Sequence, residues 1–176
     1  MKSVWGRGFL KLSSVSLRLH SLIFKQVISG QHLPRPDGES DGEVIDPYVK
    51  VRIRGHPDDE NSNNKRKTEH VKNNGFHPVW DAGYFKFHVK VPQVAFIEFK
   101  VKDHSRSGSD KDIGSHVCPV EALQEGCLNT SLFLAHFKKN ISRFFSLGYR
   151  RVYLEDYSGK RLTPASLLVK IALSRG

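Results

Sequence analysis

An all-β fold, an antiparallel eight-stranded β-sandwich, is predicted by three observations. Short segments alternate apolar and polar residues with period two. Gly, Pro, Asn and Asp fall between those segments and mark turns. Almost no helical pattern lies between the strands, which argues against a parallel α/β sheet.

Residues 22–30 read as the first strand, and Pro34, Pro36, Gly38 and Gly42 then make a loop. From Tyr48 to Arg54, Val49, Val51 and Ile53 share one face while Lys50, Arg52 and Arg54 share the other. That is the pattern of a half-buried strand. Residues 56–64 read as a polar hairpin tip and 67–71 as a short strand. Phe85, Phe87 and Val89 alternate with Lys86, His88 and Lys90; Ile97, Phe99 and Val101 alternate with Glu98, Lys100 and Lys102. Leu167, Val169, Ile171 and Leu173 give one more alternating face near the end.

One stretch departs from this period. In residues 127–148, Leu132, Phe133, Phe137, Ile141, Phe144 and Phe145 recur at roughly helical spacing, with Lys138, Lys139 and Arg143 among them. They predict an inserted basic amphipathic helix. Three readings stay open: a helix for a membrane surface or a protein partner, a helix packed on the sandwich, or a stretch that is not native coding sequence. At the other end, residues 1–36 contain no acid, and residues 1–21 read as a basic, poorly ordered leader or a transit-type segment.

The 176 residues suit one domain with a real core. No apolar run reaches the length of a spanning helix. Cys118 and Cys127 have no metal spacing and point to a reducing compartment. The nine histidines are scattered singly, without the four clustered ligands of structural zinc. The formal net charge of +10 favours an anionic partner: phospholipid, nucleic acid or acidic protein.

Glu43 to Val51 opens on an Asp-Pro turn and runs into the alternating strand; Asn73-Asn74-Gly75-Phe76-His77-Pro78-Val79-Trp80 forms the next turn. Together these segments resemble the start of a C2 domain. Val27-Ile28-Ser29-Gly30-Gln31-His32-Leu33-Pro34, Val91-Pro92, Asp112-Ile113-Gly114, Tyr149-Arg150-Arg151-Val152-Tyr153-Leu154 and Pro164-Ala165-Ser166-Leu167-Leu168-Val169 follow in order. The ordered set resembles the C2 domain of phosphoinositide-specific phospholipase C, its delta-like branch most of all, over roughly 22–126 and 149–173. The domain is thus expected over 22–173, interrupted by the insert at 127–148.

The resemblance implies peripheral docking on anionic phospholipid membranes by a cytoplasmic protein, with calcium held between three loops. Carried over by position, the ligands are Asp46, Asn73, Asp103 and the carbonyl of Val44. Where the family has a second acid after Asp103, this chain has Ser105, and Lys111 stands where a third-loop acid is expected; Asp110 or Asp112 could substitute. Fewer carboxylates mean weaker calcium binding. The local alternative is that Asp46 and Asn73 only make turns.

A second candidate site is basic. Lys50 and Arg52 lie on one strand face and Lys65, Arg66 and Lys67 start the next, so adjacent strands would gather them into one cluster; the resemblance to C2 domains implies that this surface is a groove for phosphoinositide headgroups. The alternative is a solvated strand face. Trp80 is expected in the core, and Phe76 is assigned to neither core nor membrane. The parent family hydrolyses phosphatidylinositol 4,5-bisphosphate in a barrel of about 250 residues; nothing here resembles it, so no catalytic residue is assigned and the chain is expected to be inactive alone. A monomer is expected, with a protein-interaction module as the rival function. Nucleic acid is not expected, for want of a groove-reading helix or stacking strand.

Overall fold

In a computed structural model, described for residues 20–36, 44–80, 82–83, 85–106, 108–120 and 145–175, eight antiparallel strands follow one another. They are β1 (His20–Gln31), β2 (Pro47–Arg54), β3 (Lys65–Lys67), β4 (Phe85–Val89), β5 (Phe96–Asp103), β6 (Lys111–Pro119), β7 (Phe145–Glu155) and β8 (Arg161–Arg175). Their spatial order is β3-β2-β5-β6-β7-β8-β1-β4. Between β6 and β7 the ladder thins to the single pair Ser115–Glu155. The strands divide there into two four-stranded layers, β3-β2-β5-β6 and β7-β8-β1-β4.

Alternation assigns the inner faces. Val49, Val51 and Ile53 of β2 and Ile97, Phe99 and Val101 of β5 are buried in one layer. Phe85, Phe87 and Val89 of β4, Val152 and Leu154 of β7, and Leu167, Val169 and Ile171 of β8 are buried in the other. All belong to one apolar core, which closes the sandwich. Trp80 joins it as expected, and its indole N–H donates to the Pro47 carbonyl at 3.1 Å.

Several expectations are corrected. The strand after the hairpin is Lys65–Lys67, ending before residues 68–71. Thr68 stops the ladder with its side chain: Oγ1 accepts the Val49 N–H at 3.0 Å and donates to the Glu69 carbonyl. Most of the helix expected over 127–148 lies outside the described residues. Its last four, 145–148, are not helical but strand, paired with Ile171 to Ser174 of β8; backbone ladder bonds outweigh a weak local helical pattern. The leader up to residue 19 also lies outside the described residues, and the first strand begins at His20.

The polar tip over 56–64 is anchored rather than merely solvated. Asp59 and Asn64 are buried, and both Asp59 oxygens accept backbone N–H groups beyond β4, from Lys90 at 2.7 Å and Val91 at 3.0 Å. At the start of this tip Gly55 has φ of 133°, and a Cβ there would lie 2.2 Å from the Val94 carbonyl oxygen. Gly55→Ala is therefore expected to lower stability by more than about 1 kcal/mol, read as a reduced urea midpoint.

Candidate functional site: a cationic groove beside a three-loop tip

The outer face of β2 sits between β3 and β5. Lys50 pairs with Lys67 on one side and Lys100 on the other, while Arg52 lies between Lys65 and Glu98. Like charges placed directly opposite across strands destabilise a sheet, yet here three lysines stand in one row. With Arg66 and Lys102 they line an open groove of about 470 Å³. All five expected basic residues are thus brought together.

Lys100 and Lys102 complete the groove, and sequence reasoning missed them. Their alternation with Ile97, Phe99 and Val101 was visible, but not that β5 is the neighbour of β2. Two acids temper the charge. Glu98 takes Arg52, with Nη2 at 2.9 Å, and Arg54, with Nε at 3.1 Å; the Arg52 bonds hold the Glu98 carboxyl below its usual range. Asp112 pairs with Lys100 at 2.7 Å and Lys102 at 3.2 Å and accepts from the Tyr157 hydroxyl. Burial would raise the Asp112 carboxyl, but the bonds from Lys100, Tyr157 and Lys102 outweigh it and hold it down at about 2.

Among the described residues Lys50, Lys65 and Lys67 have no carboxylate within ion-pair distance. Lys50 lies with its amine 5.6 Å from the Tyr48 ring centroid. Burial first, and then the charge of Lys102, push its amine below the usual lysine range. An anion in the groove would relieve that strain.

At the neighbouring tip the three expected loops do converge. The Asp46 N–H donates to Asp103 Oδ1 at 2.6 Å, and the Asn73 N–H donates to Asp46 Oδ1 at 2.7 Å. Asn73 has φ of 51°, a left-handed conformation that Asn tolerates. Val44, on the same loop as Asp46, is half exposed. Asp110 and Asp112 do not supply the missing acid. Asp110 Oδ2 accepts the Tyr48 hydroxyl at 2.6 Å, and its Oδ1 faces the Ser105 N–H and the His104 ring, each at 3.2 Å. Asp112 belongs to the groove.

Calcium takes six to eight oxygens, most strongly when several are carboxylates. The tip brings two carboxylates together, each with an oxygen already on a backbone amide. Among the described residues no group of three or more His, Cys, Asp or Glu is placed to hold a metal ion. The donor set among the described residues therefore falls short of a strong calcium site. Phe76, 71% exposed, stands at this tip with its ring edge-on to His32 at 4.6 Å.

The sandwich and its loop-bearing tip define a C2-type module, and the C2 domain family profile matches residues 22–134: the chain belongs to that family. Within it, the likeness is to phospholipase C. The chain is 33% identical over 151 residues to human 1-phosphatidylinositol 4,5-bisphosphate phosphodiesterase delta-4, covering 86% of this chain and 16% of that protein. It is 34% identical over 154 residues to the mouse inactive phospholipase C-like protein 2, covering 87% of this chain and 11% of that protein. The crystal structure of S. officinalis PLC21 superposes with a TM-score of 0.66 at 26% identity, over 93% of this chain and 16% of that one. The chain thus spans about a ninth to a sixth of the length of these relatives, and its identity to the phosphodiesterase and to the inactive protein is nearly the same.

Proposed function

We propose that this chain is a membrane-docking module that binds anionic phospholipid headgroups, phosphoinositides above all, through the groove lined by Lys50, Arg52, Lys65, Arg66, Lys67, Lys100 and Lys102. The row Lys67–Lys50–Lys100 carries this reading, because Asp112 pairs with Lys100 alone of the three and an entering anion would offset the repulsion that remains. A Lys or Arg near an anionic surface contributes about 1 kcal/mol, so four or five give reversible, peripheral attachment. Calcium at Asp46, Asn73, Asp103 and the Val44 carbonyl would assist only weakly, given two carboxylates. In a longer protein like the phosphodiesterases it resembles, the module would hold a separate catalytic domain at its lipid; alone it is expected to release no inositol phosphate.

Co-sedimentation with phosphatidylserine vesicles, with and without phosphatidylinositol 4,5-bisphosphate, each in calcium and in chelator, tests this. Binding in chelator that rises with the phosphoinositide supports the groove. Binding only in calcium, lost in Asp46→Asn, would transfer the function to the tip. No binding in any condition would leave the module to protein partners.

Asp112 is the groove's internal counter-ion. Asp112→Asn is expected to tighten vesicle binding about fivefold, the worth of roughly one charge. The stability that Asp112 contributes is present above its unfolded value of about 3.9 and is lost only as pH falls through about 2. Asp112 therefore adds no pH dependence of its own between about pH 5 and pH 8: the ratio of Asp112→Asn to wild-type vesicle binding should be constant across that window, and a steep change in that ratio would argue against these pairings.

A further inference from the structure

The outer face of the second layer carries an arrangement that lipid docking does not use. Val152 and Leu154 face the core, so Tyr149, Arg151 and Tyr153 of β7 point outward. Two guanidinium groups lie on the Tyr153 ring: Arg161 from β8, its Cζ 3.5 Å from the ring centroid, and Arg151, its Cζ at 4.9 Å. Arg151 Nε also donates to Ser166 Oγ at 3.0 Å. Farther along the strand, Lys170 holds its amine 4.8 Å from the Tyr149 centroid. The stripe from Tyr149 to Tyr153 is about 14 Å long.

In the groove, Arg52, Lys100 and Lys102 each have a carboxylate. Here the opposite holds. Among the described residues neither Arg151, Arg161 nor Lys170 forms an ion pair, although Glu155 stands across the ladder from Arg161. A guanidinium stacked on a ring keeps in-plane N–H groups for a second partner; with Arg151 Nε on Ser166, its two Nη groups remain, and such a pair matches a carboxylate bidentately. The ring also fixes the arginine beforehand, which lowers the ordering cost of binding.

We propose that this stripe is a second anion-binding surface, which takes a carboxylate-rich segment of a protein partner in extended form. The choice of protein over membrane rests on the groove docking. The groove lies on the outer face of the first layer and the stripe on the outer face of the second; they approach each other only at the β6–β7 edge, where Glu155 stands between Arg161 and the groove-side row Lys100–Ser115. With the groove on a bilayer, the stripe faces away from the lipid and toward soluble partners.

The test uses a fluorescein-labelled peptide of about eight alternating Glu and Gly residues, long enough to cover the stripe, read by anisotropy on the whole chain. Arg151→Gln with Arg161→Gln is expected to weaken peptide binding about tenfold or more, the loss of charge-assisted hydrogen bonds. The same pair should change vesicle binding less than about twofold, since these positions face away from the lipid. Arg151→Lys with Arg161→Lys keeps charge and fold but loses the fork, and is expected to give an intermediate loss. Peptide affinity unmoved by either pair would overturn the proposal. So would displacement of the peptide by phosphatidylinositol 4,5-bisphosphate vesicles, which would place both ligands on one surface. Arginine-dependent peptide binding by a chain that ignores vesicles would instead sink the lipid reading and leave the stripe standing.

Discussion

Lys50→Glu combined with Lys67→Glu is expected to weaken binding to phosphatidylinositol 4,5-bisphosphate vesicles roughly a thousandfold. The two reversals change the groove by four unit charges, and at about 1 kcal/mol per charge near an anionic surface they remove about 4 kcal/mol. The positions are directly paired across β2 and β3, with Lys100 next in the row. The exchange repeats one like-charge pair across β2 and β3 but sets position 50 opposite Lys100, so the fold should not suffer; thermal unfolding near the wild-type midpoint would show that lost binding is not lost structure. Raising the salt should weaken the wild type in the same direction, because exposed charges are screened within about 10 Å at 0.1 M. Binding within about threefold of wild type in the double variant, less than the worth of a single charge, would remove the groove from the docking mechanism.

Asp59→Ala is expected to lower the stability of the fold by about 2–5 kcal/mol, although the residue lies in a tip that reads as polar loop. The side chain is fully buried and accepts the Lys90 and Val91 N–H groups with its two oxygens. Truncation leaves both donors unmatched away from water, at about 1–3 kcal/mol each. Its neighbour Asn64 repeats the device, spanning the Asp59 and His88 carbonyls with Nδ2 and the His88 N–H with Oδ1. Together they fasten the β2–β3 connection to the edge strand β4. Asp59→Asn should fall between, because the amide keeps one acceptor but turns a donor toward the second N–H. Asp58→Ala, at a side chain 60% exposed, should stay within about 0.5 kcal/mol. Urea unfolding of the three variants decides it, and equal midpoints for Asp58→Ala and Asp59→Ala would refute the anchoring role.

Much of the architecture was legible. The period-two pattern placed Val49, Val51, Ile53, Ile97, Phe99 and Val101 on a buried face, and all six are buried. The turn residues Asp46 and Asn73 were legible as a meeting point, and their hydrogen bond joins two loops. The boundary of β3 was not, because Thr68 ends it through a side-chain bond to a strand nineteen residues away. The helical reading of 145–148 also failed, because the helical pattern has only Phe145 in these four residues, a weaker constraint than a ladder to β8.

By itself the sequence determined which side chains face inward and that a strong positive charge faces out, since alternation is a local property of the chain. Only the tertiary structure decided which charges meet. Placing β5 beside β2 brought Lys100 and Lys102 into the groove, the turn after β7 carried Tyr157 to Asp112, and β8 set Arg161 on Tyr153. Those encounters depend on the order and register of strands far apart in the chain, and a period of two is the same whichever strand comes to lie alongside.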